Sequence, residues 1–320
     1  MQTKLAIAIP TYNRAEILSF NLMQILDQLI EFKIPVYISD DSTNEDTANA
    51  IEELKNKHSL FYYFKNNPSL GHDFNCLKTI NLVKEEYVWY MGDSMIIKNG
   101  SIKKILDIIS INGYDFISCN AEGRNLNKNS KVYSDGIELM NDLGWHLTMT
   151  GATIYNTTTI LNFNKKEIKG FKNFPQLALI FQKFAQSNSS LYWINEKMIY
   201  VNFNKKSYWS NKVFEVFITD FKNLAQNLSE MYPSKLKDQL VLQHSLITGI
   251  FNYHSFVIYR INNIFNKSVF FKYNNDFRKF TGSKSFLLYV ISIFPVRILK
   301  FMYRIVYNMI KTRLIMKICI

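Results

Sequence analysis

The chain has 320 residues, 48% hydrophobic and 15% aromatic, enough for a sizeable α/β domain with a smaller appendage and too apolar for wholesale disorder. Its net charge of +12 is unevenly placed: residues 1–259 hold 26 Lys+Arg against 25 Asp+Glu, while residues 260–320 hold 12 against one acid, Asp276. Basicity confined to an apolar tail points to an anionic membrane surface and away from a nucleic-acid-binding face. Cys76, Cys119 and Cys319 are scattered without a C-x-x-C pair, which supports neither a disulfide framework nor a zinc site and suits a reducing cytoplasm.

In chain order, Leu5–Ile9 is a short apolar run stopped by Pro10, too early for the apolar region of a signal peptide. Helical spacing follows over 15–32, through Ile17, Leu18, Leu22, Ile25, Leu26 and Leu29. Val36–Ile38 is a second strand, closed by the polar string 39–43, and Thr43 or Asn44 can cap a helix over 45–57. Leu60–Phe64 predicts a third strand, 73–84 a helix, Tyr87–Tyr90 a fourth strand, 99–111 a helix and Tyr114–Ser118 a fifth strand. This alternation predicts βαβ units, an α/β fold with a mostly parallel sheet. Ligands in such sheets bind outside the carboxyl ends of the strands, where the polar strings 10–14, 39–43 and 92–94 all fall.

Beyond 120 the pattern loosens, with a strand near Thr150–Tyr155, an apolar run at Leu177–Phe181 and helical spacing over 211–265. The division expected is a domain over 1–210 with halves 1–120 and 121–210, a helical region 211–283 and a tail 284–320. The run 286–296 is too short to span a bilayer. After Pro295, Arg297, Lys300, Arg304 and Lys311 share one helical stripe with Asn308. Ile298, Leu299, Met302, Ile305, Val306, Met309 and Ile310 cover the other faces, while Arg313 and Lys317 leave the stripe. That is the pattern of a helix lying in a membrane interface.

The string Ile7-Ala8-Ile9-Pro10-Thr11-Tyr12-Asn13-Arg14 resembles the opening of family 2 glycosyltransferases, an inverting group with the GT-A fold. Ile38-Ser39-Asp40-Asp41-Ser42-Thr43 resembles their second motif, and Tyr87-Val88-Trp89-Tyr90-Met91-Gly92-Asp93-Ser94 their third, in the expected order and intervals. The loop Gly71-His72-Asp73-Phe74-Asn75 resembles the subgroup building O-antigen, capsule and lipooligosaccharide, abequosyltransferase-like enzymes included. The likeness covers about the first 120 residues.

The resemblance implies a nucleotide-sugar donor, and the residue chemistry suits one. Pro10 fixes the strand end, and Thr11, Tyr12 and Asn13 offer an aromatic face and polar groups to a base. Asp41 resembles the carboxylate that accepts from the base, with Asp40 beside it, and Asp93 the acid that contacts ribose or metal. Arg14 can reach the diphosphate or cap a helix; His72, Gly71 and Asn75 lie where the family contacts the donor. A divalent Mn²⁺ or Mg²⁺ is implied at Asp93, but Ser94 stands where the family carries a second acid, and a hydroxyl is a poorer ligand. Inverting transfer also needs a general base. The segment Gly170-Phe171-Lys172-Asn173-Phe174-Pro175-Gln176-Leu177, where the family supplies it, has no acid. His146 is the candidate by location, with Asp142 and Glu122 behind it.

The expected function is sugar transfer to a glycan acceptor carried on a polyprenyl diphosphate, by a peripheral protein on the cytoplasmic face of a bacterial inner membrane. A non-catalytic nucleotide-sugar-binding scaffold of the same pathway is the alternative.

Overall fold

A computed structural model of the chain describes residues 3–124, 126–160, 171–202, 207 and 209–305. The first half alternates as its apolar spacing predicts: β1 (Leu5–Thr11), α1 (Ala15–Glu31), β2 (Val36–Asp40), α2 (Asp46–Lys55), β3 (Phe61–Lys65), α3 (His72–Asn81) and β4 (Tyr87–Tyr90). Then come β5 (Met95–Ile97), α4 (Ser101–Ile111), β6 (Phe116–Ala121), β7 (Lys131–Tyr133), α5 (Gly136–Leu143), β8 (Thr153–Asn156), α6 (Thr157–Ile160), α7 (Pro175–Gln186) and β9 (Leu191–Val201).

These strands form one sheet in the order β3-β2-β1-β4-β8-β6-β9-β5, with β7 on β9. β1, β2, β3 and β4 are parallel, so their carboxyl ends share one edge. Beyond β4 the direction mixes: β8 is antiparallel to β4 and β6, β9 is parallel to β6, and β5 and β7 are antiparallel to β9. The parallel prediction therefore describes the first half of the sheet. The run at 177–181 is helical, within α7, which Pro175 opens at a position where a missing N–H costs nothing.

Pro10 sits inside β1 without breaking the ladder. β4 pairs with β1 only as far as Ala8, whereas β2 continues to Thr11. Ala8 faces β4, since its carbonyl accepts from Met91. Two residues on, the proline nitrogen points the same way, past the end of the β4 pairing. β1, β2 and β4 are buried on both faces, as continuous apolar runs in parallel sheets are.

The chain divides into two compact units, one of Met1–Ser207 with Asp220–Leu240 and the other of Tyr208–Thr219 with Val241–Ile320. The first contains the sheet and α8 (Phe221–Asn227), which α9 (Ser234–Thr248) follows in the chain. The second has its own aromatic core around Phe214, whose ring lies 5.5–5.9 Å from those of Phe251, Phe256, Tyr259, Phe265, Tyr273 and Phe277. α10 (Tyr253–Ile261), α11 (Lys267–Phe280) and α12 (Ser285–Ile293) build it. α12 and the helix Val296–Ile305 are bent by 104°, and among the described residues no single helix is long and apolar enough to cross a membrane. Lys311, Arg313 and Lys317 of the basic tail, with Val306, Asn308, Met309 and Ile310, lie outside the described residues.

Candidate nucleotide-binding site

At the end of β1 the chain must turn into α1, and Asn13 takes positive φ (50°) to do so. The turn is tied to β2: Asn13 N–H donates to Ser42 Oγ at 2.7 Å, and Asn13 Oδ1 accepts from Thr43 N–H at 3.0 Å. Thr11 is buried, with its hydroxyl 3.4 Å from Asp93 Oδ2. Tyr12 instead is 53% exposed, so its ring is available to a ligand at this edge. Arg14 turns inward to Asp93, Nη1 to Oδ1 at 3.0 Å. The β1 and β4 ends are thus joined by a partly buried ion pair.

The two aspartates at the end of β2 both serve the protein first. Asp40 is fully buried; its Oδ1 accepts from Ser42 N–H at 2.9 Å and its Oδ2 from Tyr63 Oη at 2.7 Å, with Lys65 Nζ at 3.5 Å. It clamps β2 to β3. Asp41 accepts four bonds from the loop after β3: Leu70 N–H at 2.9 Å and Asn66 Nδ2 at 2.9 Å on Oδ1, Gly71 N–H at 2.7 Å and Ser69 Oγ at 2.8 Å on Oδ2. Burial opposes its charge, but the bonds from Leu70, Ser69, Asn66 and Gly71 outweigh it and hold the carboxyl below its ordinary pKa. Gly71, at φ 79°, makes the turn that delivers the last N–H. Asp41, expected to accept from a base, here turns its oxygens to the loop, whose four donors match the roughly four acceptor positions of a carboxylate. Asn75 likewise faces inward, donating to Ser39 O at 3.2 Å and accepting from Asn66 Nδ2 at 3.0 Å.

Asp93 follows β4 and is held from several directions. Besides Arg14 and Thr11, Asn21 of α1 donates to its carbonyl at 2.8 Å, and Asn202, just past β9, bonds both Asn21 and the Ser94 carbonyl. Among the described residues no group of three or more His, Cys, Asp or Glu could hold a metal ion. One carboxylate joined by donor phosphates and water is nevertheless a set that Mg²⁺ accepts, so Asp93 fits a cation that arrives with its nucleotide.

The structure buries His146, the candidate base. It is T-stacked against Trp145 and Trp193, and bonded through Nε2 to Cys119 O at 2.9 Å. Burial and then the charge of Arg124 push its pKa down to about 3, so the ring stays neutral and out of reach of a sugar hydroxyl. Glu122 is shared by Lys98 and Lys197, and Asp142 by Lys128 and Tyr133, which accounts for both as ion-pair partners. The structure does bring acids to the loop before α7. Asp73 accepts from Asn173 N–H at 3.0 Å and from His72 Nδ1 at 2.8 Å, while Asp220 accepts from Asn173 Nδ2 at 2.6 Å. Asn21, Asn66, Ser69 and Asn202 carry no motif, so only the fold reveals them.

A parallel half-sheet that gathers polar and acidic strand ends on one edge, continued by mixed strands, is the architecture of a GT-A glycosyltransferase. The chain belongs to glycosyl transferase family 2, whose model matches residues 6–186. It is 30% identical to abequosyltransferase RfbV of Salmonella typhimurium over 100 residues, 31% of this chain and 30% of that protein. It is 22% identical over 221 residues to the GalNAc(5)-diNAcBac-PP-undecaprenol beta-1,3-glucosyltransferase of Campylobacter jejuni, 67% of this chain and 64% of that protein. The matches therefore span less than two thirds of either relative. Among solved structures, S. aureus TarS 1-349 aligns with a TM-score of 0.59 at 14% identity, covering 89% of this chain and 83% of that one. Its complex with UDP aligns at 0.55 and 16%, covering 80% and 75%. At these identities the likeness is one of fold.

The Asp41 cluster gives a pH signature. Because its folded pKa is lowered, its contribution is full above the unfolded carboxylate range and is lost as pH falls through the folded value. Asp41→Ala should cost about 2–4 kcal/mol at pH 7 by leaving buried donors unpaired, and should flatten the acid side of the stability profile below about pH 4, measured by urea unfolding across pH.

Proposed function

We propose that the protein transfers a sugar, with inversion, from a nucleotide-sugar donor to a glycan acceptor in bacterial surface-polysaccharide assembly of the O-antigen, capsule or lipooligosaccharide kind. The observation that carries this reading is the Arg14–Asp93 pair, which joins the first and third motifs at the carboxyl edge of the parallel strands. Tyr12 supplies an exposed ring for the base, and Thr11 and Asn13 line the same turn. In this reading Arg14 trades one oxygen of Asp93 for a donor phosphate oxygen, keeping its charge paired while it stabilises the departing diphosphate. The loop Asn66–Gly71, braced by Asp41, and α3 behind it, braced by Asn75, close the side of the site. A divalent cation bound at Asp93 would add charge neutralisation at the leaving group; PcManGT of Pyrobaculum calidifontis, of similar fold at a TM-score of 0.50, is described with GDP-Man and Mn²⁺.

The acceptor proposed is a glycan on a polyprenyl diphosphate, a reading supported by the undecaprenol-linked substrate in the name of the Campylobacter relative. It is also supported by the surface of the second unit. Phe286, Ile298, Phe301, Met302 and Ile305 are 44–73% exposed, interleaved with exposed Arg297, Lys300 and Arg304. Apolar side chains that enter the acyl boundary beside cations that meet headgroups suit peripheral attachment to an anionic bilayer, on the cytoplasmic face where polyprenyl-linked glycans are built.

Two measurements test this. Across a panel of nucleotide sugars with and without Mn²⁺, Asp93→Ala should lower transfer at least about 10²-fold with the fold retained by circular dichroism. Full activity would overturn the site, and nucleotide binding without turnover in the wild type would make the chain a scaffold. In vesicle sedimentation, the wild type should prefer phosphatidylglycerol to phosphatidylcholine. Replacing Arg297, Lys300 and Arg304 by Gln should weaken binding by about 10²-fold, at ~1 kcal/mol per cation. Equal binding to both lipids would refute the membrane reading.

A further inference from the structure

Arg124 stands in the turn after β6, its N–H bonded to Ala121 O at 3.2 Å. The side chain lies on Trp145, with the guanidinium carbon 5.1 Å from the ring centroid. Although the residue keeps some exposure, its Nη1 is sealed from water and has no hydrogen-bond partner. His146, edge-on to the same Trp145, leaves Nδ1 in the same condition, because Nε2 is taken by the Cys119 carbonyl. No acid among the described residues pairs with Arg124: Glu122 serves Lys98 and Lys197, and Asp142 serves Lys128 and Tyr133. Burial pulls the guanidinium pKa down to about 10. A buried cation without a counter-charge is costly, and cation–π stacking on Trp145 recovers only part of that cost.

A cleft of about 490 Å³ opens over this residue, lined by Asn120, Arg124, Leu126, Asn127, Asn195 and Lys197. Asn120 is occupied within the wall, donating to Leu126 O at 2.8 Å and accepting from Ala121 N–H at 2.9 Å. Arg124, the exposed Lys197 and Asn127 are left to meet a ligand. Lys197 sits 3.5 Å from a Glu122 that also holds Lys98 at 2.9 Å. The cleft is not the donor edge. On β9, residues 195–197 precede Asn202, which bonds Ser94, by five to seven residues, roughly 15–25 Å of strand.

We propose that this cleft is a second ligand site, one that takes an oxoanion group, carboxylate or phosphate, on a polar molecule. The guanidinium, held on Trp145 and lining the cleft, offers such a group a positive charge, and Lys197 adds a second at the rim. The bound anion supplies the counter-charge that the folded chain lacks there.

Thermal unfolding of the full chain in chloride buffer tests this with three probes: inorganic phosphate, glucuronate and uncharged glucose. The wild-type midpoint should rise by about 2–4 °C with at least one oxoanion and stay unmoved by glucose. A response confined to glucuronate identifies an acidic sugar as the ligand; one confined to phosphate identifies a phosphate ester. Arg124→Met should unfold no earlier than the wild type, since an apolar chain replaces an unpaired buried charge, and should lose the oxoanion response. Lys103→Met, an exposed control on α4, should retain it. If Arg124→Met does not fold, Lys197→Met reads the same loss from an exposed position. An oxoanion response that survives both substitutions, or no response in the wild type, overturns the proposal.

Discussion

The carboxyl edge of the parallel strands depends on a carboxylate that no ligand is needed to explain. Asp41 collects four hydrogen bonds from Asn66, Ser69, Leu70 and Gly71, and so fixes the loop that leads into α3. Its own backbone N–H donates to Thr11 O at 3.0 Å, which ties the same residue to the end of β1. Thr11 in turn touches Asp93, whose other oxygen receives Arg14. One chain of contacts therefore runs from the loop after β3, through β2 and β1, to the end of β4. A buried anion with several donors is worth keeping only if all remain in place, so the edge is rigid before a substrate arrives.

That rigidity divides the labour among acids that look alike in sequence. Asp40 and Asp41 are adjacent and both buried, yet one binds β3 to β2 and the other shapes a loop. Asp93 differs because its main partner is a mobile type of side chain, an arginine 20% exposed, which can exchange a carboxylate for a phosphate without becoming unpaired.

Much of this was legible before any coordinates. The strands β1, β2 and β4 are short apolar runs that end in polar strings, so both their existence and the shared edge follow from the pattern. Their motifs then point to Tyr12, Arg14 and Asp93. What the pattern hides is pairing at long range. β9 is an eleven-residue strand, but its register against β6 shifts between Cys119 and Ala121, and the polar stretch Asn195–Lys197 interrupts its apolar run. The three-residue β5 and β7 exist only because β9 pairs with them. Asp41's partners Asn66 and Ser69 are ordinary loop residues in sequence, and His146 looked reactive only because its burial between two tryptophans could not be read.

The central claim is that the Arg14–Asp93 edge receives the diphosphate of a nucleotide-linked donor. A crystal structure of the protein with a nucleoside diphosphate tests it most directly. The account predicts the diphosphate within hydrogen-bond distance of Arg14, with the base against Tyr12. A diphosphate bound away from Arg14, with the Arg14–Asp93 contact undisturbed, would contradict it.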